Sequence, residues 1–365
     1  MRFIFPLMFI CYLLGNIYLF ISTIKAIAQA PIAVKIIYGI IFWSLSVSLF
    51  LSIALRNSHL PQALLGAMYT FGSIWLVFVL YMILSIILFS IIRYFFPSII
   101  YNTLLYSLIV TFTLLAYGYI NYLTPVVTTI EIKTEKAIEG DSVTIVGISD
   151  VHLGHGTGNK MLHKFVDTIN KQHPDAVIIA GDLIDNSVQP LYDKEINNEL
   201  ARINAPMGIY MAPGNHEYIS GIRECADIIK STPINMLLDA TATLPNGVQI
   251  ICRDDASNRR RQPLDKLLSG VDNSRLTLLI DHQPREIAEK DSAKIDIQFS
   301  GHTHNGQIWP GNIVTALLFE QASGYRKWEH SHVYVSSGVS LWGPPLRIGT
   351  NSEIVVFKIR SNKKQ

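Results

Sequence analysis

No acidic residue occurs before Glu131, and the first 125 residues are dominated by four long apolar runs. Phe3–Thr23, Val34–Leu55, Ala67–Ile92 and Ile99–Leu123 are nearly free of charge. Each reaches the roughly 20 apolar residues that a helix needs to cross a bilayer core. Helices suit that environment because their backbone groups bond internally, away from water. The charged residues of this stretch are Arg2, Lys25, Lys35, Arg56 and Arg93 alone. Pro31, Pro61 and Pro97 fall in or beside the short connections, where proline disturbs helices least. The first run lacks the short apolar core and small-residue cleavage site of a signal peptide. Residues 1–125 are therefore expected to form a transmembrane domain of four helices.

Four spans would place the N-terminus and the rest of the chain on one side of the membrane. Lys/Arg bias sets such orientation. Here it is nearly balanced, with Arg2 and Arg56 facing Lys25, Lys35 and Arg93 across the membrane. The balance leans towards a soluble domain on the non-cytoplasmic face. That remainder holds 25 of the 30 basic residues and all 28 acidic ones, a net charge of −3. No Lys/Arg cluster with interleaved aromatics is present, so nucleic-acid binding is not expected. Cys225 and Cys252 lack the clustered spacing of a zinc or iron–sulfur site and read as buried free thiols.

Residues 126–141 read as a linker leading into a soluble domain at 142–365, with Pro125 closing the last span. Beyond the linker, apolar strand candidates alternate with amphipathic segments at Asn159–Gln172, Tyr192–Asn204, Gly221–Ser231, Pro263–Ser269 and Pro284–Lys290. Such alternation argues for an α/β domain with a largely parallel sheet. Asn246-Gly247 within Thr241–Asp254 signals a hairpin. Val333–Ser336 and Glu353–Ile359 read as late strands with no helix between them. Two central sheets flanked by helices, an α-β-β-α sandwich, accommodate all of these.

Five of the strand candidates end in polar, metal-competent residues. Thr144–Ser149 runs into Asp150 and His152, and Ala176–Gly181 into Asp182 and Asp185. Gly208–Gly214 runs into Asn215 and His216, Leu276–Asp281 into His282, and Ile295–Gly301 into His302 and His304. Open α/β sheets bind ligands beyond the carboxyl ends of their strands. Asp, Asn and His suit divalent transition metals. An Asp-x-His pair on extended backbone would aim both side chains the same way. A lone histidine after a strand is more often a hydrogen-bonded loop residue, and the five-fold recurrence overturns that reading. The pattern points to a metal-dependent hydrolase.

Asp150-x-His152, Gly181-Asp182-x-x-Asp185, Gly214-Asn215-His216-Glu217, His282 and Gly301-His302-x-His304 resemble the calcineurin-like metallophosphoesterase superfamily. The resemblance covers about residues 141 to 360. GHTHNGQ at 301–307 and the stretch 334–354 look like its bacterial branch of membrane-associated phosphodiesterase-like proteins. It implies two divalent ions, drawn from Mn, Fe, Zn, Co or Ni. Asp150, His152, Asp182 and His304 would hold one ion, and Asp182, Asn215, His282 and His302 the other. A metal-activated hydroxide would attack phosphorus, with His216 as general acid oriented by Asp185. Asn305 and Arg253 stand where the branch usually has glycine, which puts loop shape and substrate contacts in question.

The implied activity is hydrolysis of a phosphate ester or phosphoanhydride by an integral protein of a bacterial inner or cell membrane. Its substrate would be a phosphorylated small molecule or a lipid-linked one, with membrane lipid as a partner. A lipid-linked pyrophosphatase acting on a glycolipid nucleotide is an alternative. A catalytically silent membrane sensor or scaffold is another, of a different class. Arg347, after Pro344-Pro345, reads equally as a phosphate contact or as a loop-structure residue, and Trp309 and Trp342 are candidates for lipid contact on the rim.

Overall fold

The computed structural model describes residues 4–56, 58–98, 102–192 and 194–362. Four helices come first: α1 (Ile4–Ala26), α2 (Ile32–Ala54), α3 (Gln62–Phe95) and α4 (Thr103–Tyr122). All four are long and apolar enough to cross a membrane, by length and composition. Residue 3 of the first expected span and residues 99–101 of the fourth lie outside the described residues. Within the helical unit, Asn16 Oδ1 accepts from Ser46 Oγ at 2.7 Å and from Trp75 Nε1 at 2.9 Å. These bonds tie α1, α2 and α3 together, where an unpaired polar group would be costly.

After α4 the chain alternates as expected. In order come β1 (Val126–Thr134), β2 (Ser142–Ile148), α5 (Asn159–Asn170), β3 (Ala176–Ala180), α6 (Lys194–Ala201) and β4 (Ile209–Ala212). Next are α7 (Asn215–Ser220), α8 (Ile222–Ile229), β5 (Ile234–Met236), β6 (Ala240–Thr243), β7 (Gln249–Cys252) and α9 (Leu264–Leu268). The chain closes with β8 (Thr277–Ile280), α10 (Ile287–Ser292), β9 (Ile297–Ser300), α11 (Gly311–Leu318), β10 (Gly324–Lys327), β11 (His332–Val335) and β12 (Glu353–Ser361). The described chain divides into two compact units. One holds the residues up to Ile120 with Gly343–Leu346, and the other holds Asn121–Trp342 and the residues from Arg347.

The second unit contains two six-stranded mixed sheets, ordered β1-β12-β2-β3-β4-β5 and β10-β11-β9-β8-β7-β6. β2, β3, β4 and β5 are parallel neighbours, as are β7, β8, β9 and β11. The Asn246-Gly247 turn joins β6 and β7 as an antiparallel pair. Residues 126–134, expected as linker, form a nine-residue strand paired in parallel with β12. Ile130 and Ile132 alternate with exposed Glu131 and Lys133, as in a strand with one wet face.

Period-two alternation assigns each strand's side chains to two layers. On β2, Val146 and Ile148 face a core that also holds Leu162, Phe165, Val166 and Ile169 of α5. Val143 and Ile145 face the other sheet, packing with Ile250, Leu278, Phe299 and Phe357. The α5 residues recur at helical spacing, so one stripe covers the sheet. Leu264 and Leu267 of α9 cover Ile251 and Leu279 on the far side. The result is the expected α-β-β-α sandwich. Cys225 and Cys252 are buried free thiols.

The two sheets lie close together at Gly147, where an added Cβ would lie 2.9 Å from Phe299 Cζ. Gly147→Ala should therefore cost about 1–3 kcal/mol by overpacking, measured by urea unfolding of the detergent-solubilised chain. In a Phe299→Leu background the same change should cost less, and equal costs in both backgrounds would refute this contact.

Candidate metal centre

β2, β3 and β4 of the first sheet and β8 and β9 of the second release their chains at one place. Asp150 and His152 follow β2; Asp182 and Asp185 follow β3; Asn215 and His216 open α7 directly after β4. His282 follows β8 by two residues, and His302 and His304 follow β9. All nine candidates from the sequence come from these five loops.

The loops hold an unusual backbone. Asp150, His152, Asp182, His302 and His304 all have positive φ, between 48° and 72°. Left-handed backbone is uncommon for such residues, and its cost is borne where surrounding structure fixes it. Here the loops fix one another. Asp150 N–H donates to Gly181 O at 3.1 Å, His152 N–H to Asp182 O at 2.9 Å, and Gly301 N–H to His282 O at 2.9 Å. Asp150 and His152 thus converge through two left-handed residues and not, as the sequence suggested, through extended alternation. Asn305, standing in place of a glycine, is also left-handed at φ 49°, a conformation asparagine tolerates. Gly181 and Gly214 permit the closest approach, since a Cβ on Gly181 would sit 2.6 Å from Gly214 Cα and 2.7 Å from His282 Nδ1.

Besides a group that joins His152 and Asp182 with His216, two donor clusters carry the expected ligands and meet at Asp182. In one, His152 Nε2 lies 3.2 Å from His304 Nε2, and Asp150 Oδ1 lies 3.5 Å from His304 Nε2. Asp182 Oδ2 is 3.8 Å from His152 Nε2. In the other, His282 Nε2 lies 3.2 Å from Asp182 Oδ2, 3.1 Å from Asn215 Oδ1 and 3.2 Å from His302 Nδ1. Asp182 Oδ1 accepts the His216 backbone N–H at 2.8 Å, which fixes the carboxylate. Asp150, His152, Asp182 and His282 are all fully buried.

The donor set fits divalent cations. His282 Nδ1 is 2.8 Å from the Ala180 carbonyl, which only accepts, so the proton resides on Nδ1. Its Nε2 then meets three further lone pairs, from Asp182, Asn215 and His302. One proton could serve only one of these contacts, whereas a cation serves all of them with the N/O donors such ions favour. A histidine ligand holding its second ring nitrogen against a carbonyl is a recurrent support for a metal. Burial pushes His304 well below the usual imidazole range, and burial with the neighbouring His282 pushes His302 down to about 4. Both rings are thus kept neutral, as ligation requires. Burial lowers His282, but Asp182 and Asp150 raise it well above the imidazole range. Burial alone would raise Asp182, but the protonated His282, with His216 and His152, holds it well below the carboxylate range.

Asp185 Oδ1 is 3.4 Å from His216 Nδ1 and equally 3.4 Å from His152 Nδ1. The sequence assigned it to His216 alone. Burial lowers His216, while Asp182 and Asp185 outweigh that effect and raise it to about 9.

Glu217, the last residue of the Gly214-Asn215-His216-Glu217 motif, has a role that the sequence pattern alone does not assign. It is fully buried, and its carboxylate accepts from Asp182 N at 2.9 Å, Gly214 N at 2.7 Å and Ile184 N at 3.0 Å. It thereby clamps the β3 and β4 loops. Its sequence signal is a glutamate at the third position of a helix, reaching back to the cap. Arg347 is likewise buried. It donates to the carbonyls of His304 (2.9 Å), Ser337 (2.6 Å), Gly338 (3.1 Å) and Ser340. That guanidinium shapes the loop and is not aimed at phosphate. Arg253 pairs with Asp281 at 3.4 Å and Glu286 at 3.0 Å, and Lys290 with Asp281 at 2.7 Å, so both brace the loop that bears His282.

Residues 143–306 match the family model described as calcineurin-like phosphoesterase. An uncharacterised metallophosphoesterase of Campylobacter jejuni is 33% identical over 265 residues, 70% of this chain and 70% of the relative. One from Helicobacter pylori is 32% identical over 221 residues, 59% of each chain. A Danio rerio transmembrane protein with metallophosphoesterase domain is 34% identical over 266 residues, 68% of this chain and 60% of the relative. The chain thus spans less than two thirds of the Helicobacter and Danio relatives. The family match, the extent of the Campylobacter relative and the convergent donors agree: the chain belongs to the calcineurin-like phosphoesterases and is a metal-dependent phosphoesterase.

Proposed function

We propose that this protein is a membrane-anchored phosphoesterase with a dinuclear centre, acting on phosphate ester or phosphoanhydride bonds. The observation that carries the reading is Asp182 Oδ2, which lies 3.2 Å from His282 Nε2 and 3.8 Å from His152 Nε2. A carboxylate so placed can bridge two ions. Asp150, His152, Asp182 and His304 would hold one, and Asp182, Asn215, His282 and His302 the other. Divalent ions bound there supply Lewis acidity towards phosphoryl oxygens and make water nucleophilic near neutral pH.

The chain's own groups do the remaining work. His216 stands beside the first cluster, with its ring 4.6 Å from that of His152. It is the general acid that delivers a proton to the leaving oxygen, and Asp185 holds its Nδ1 so that Nε2 faces the substrate. Because Asp185 also backs His152, the acid and one metal ligand share a single support. Glu217 keeps the Asp182 loop rigid. Residues 1–125 serve as a multi-pass anchor in a bacterial membrane, and the domain that follows lies on the N-terminal side, facing away from the cytoplasm. A tethered active site favours substrates at the membrane, either small phosphorylated molecules or lipid-linked ones.

Full-length protein loaded with manganese should hydrolyse bis-p-nitrophenyl phosphate or the monoester. Absence of turnover in a demonstrably metal-loaded sample would instead favour the sensor reading. Asp182→Asn should lower the content of both ions together by elemental analysis, and loss of only one would contradict the bridge. His216→Asn should retain metal while turnover falls about 10²–10⁴-fold, most for esters with poor leaving groups. Metal loss in that variant would place His216 among the ligands.

A further inference from the structure

The loop that carries His302 and His304 continues into a feature that the metal centre does not use. Residues 305–319 contain no charged side chain. Within them, α11 (Gly311–Leu318) buries none of its residues. Ile313, Val314, Leu317 and Leu318 are all exposed, Leu317 to 82%, and Trp309 at the helix base is exposed as well. Asn312 and Thr315 lie towards one side of this helix and Ile313, Val314, Leu317 and Leu318 towards the other, and an exposed apolar patch of this kind marks an interaction site.

The excursion is pinned at its base to the metal-binding turn. Thr303 Oγ1 donates to Ala322 O at 2.6 Å, Trp309 N–H to Ile348 O at 2.8 Å, and Trp342 N–H to Gln307 Oε1 at 3.2 Å. The Phe319 ring lies 6.1 Å from that of His302, and the Trp342 ring 6.5 Å from that of His216. The apolar helix and two tryptophans therefore rim the candidate centre itself.

We infer that α11 is a membrane-docking helix that inserts Ile313, Val314, Leu317 and Leu318 into the acyl layer of a bilayer. Lipid is the occupant that the rest of the chain supplies. Four helices of membrane-spanning length precede the domain, and only Leu123, Thr124 and Pro125 separate α4 from β1. That tether spans about 10 Å at full extension, so the domain works at the surface of the bilayer that holds those helices. Tryptophan is enriched at such interfaces, as Trp309 would be at the helix base. A second copy of the chain fits less well. An eight-residue helix is about 12 Å long and about 10 Å across, a small part of the roughly 800 Å² that each partner buries in a stable dimer. With α11 in lipid, the centre opens onto substrates carried by the bilayer, which deepens the phosphoesterase reading towards lipid-linked phosphoesters and rests on it for that consequence alone.

The test uses the full chain in nanodiscs of phosphatidylcholine and phosphatidylglycerol, with Cys11→Ser removing the exposed thiol. Leu317→Cys is labelled with an environment-sensitive nitrobenzoxadiazole dye. Lys230→Cys, on a side chain 74% exposed at the end of α8, serves as the aqueous reference. Docking predicts that doxyl-labelled lipid quenches the dye at position 317 and that aqueous iodide does not, with the reverse at 230. Iodide quenching at 317 equal to that at 230 would overturn the inference. Protection from both quenchers would overturn it in favour of a protein partner. The readout needs neither metal nor turnover, so its failure is separable from failure of the phosphoesterase reading.

Discussion

The domain is organised around a cluster of lone pairs that repel one another unless something positive joins them. Asp182 sits at its middle, fully buried, within 4 Å of imidazole nitrogens on two sides. Buried donors of like character at such distances are expensive unless coordinated. The surrounding structure serves to hold them in place. Glu217 grips three backbone N–H groups of two loops, and Arg347 draws the carbonyls of four residues inwards. Lys290 and Arg253 neutralise Asp281 beside His282. Each of these charges is spent on loop geometry, which explains why so many ionised side chains lie inside a small α/β domain.

Much of this was legible in the sequence because strand ends are simple to read. A run of β-branched and other apolar residues stops, and a polar residue follows it; five such boundaries gave the positions of all the candidate donors. Three things were not legible. The left-handed backbone at Asp150 and His152 is held by hydrogen bonds donated to carbonyls of the β3 loop, some thirty residues away in sequence. Glu217 and Arg347 act on backbone groups, which leave no mark on residue pattern. Asp185 reaches two histidines because its β3 loop lies between the β2 and β4 loops, a fact of sheet order rather than spacing.

The apolar segments show the same limit from the other direction. Twenty-residue runs free of charge have one physical explanation, and the four helices of the first unit follow it. The short run at 311–318 has two, since an uncharged eight-residue run with five apolar side chains reads equally as core helix or exposed helix. Only the absence of burial along α11 separates them. Conversely β1 carries period-two alternation over Ile130–Lys133 within a stretch expected as linker, and its backbone register with β12 is unbroken over nine residues.

The central claim is that two ions share the Asp182 carboxylate. Electron paramagnetic resonance of the manganese-loaded full-length protein tests it directly, because ions about 3.5–4 Å apart with a common bridging ligand couple magnetically. A shared Asp182 predicts an exchange-coupled spectrum that appears as loading approaches two manganese per chain. The hyperfine pattern of isolated manganese, persisting at full loading, would contradict it.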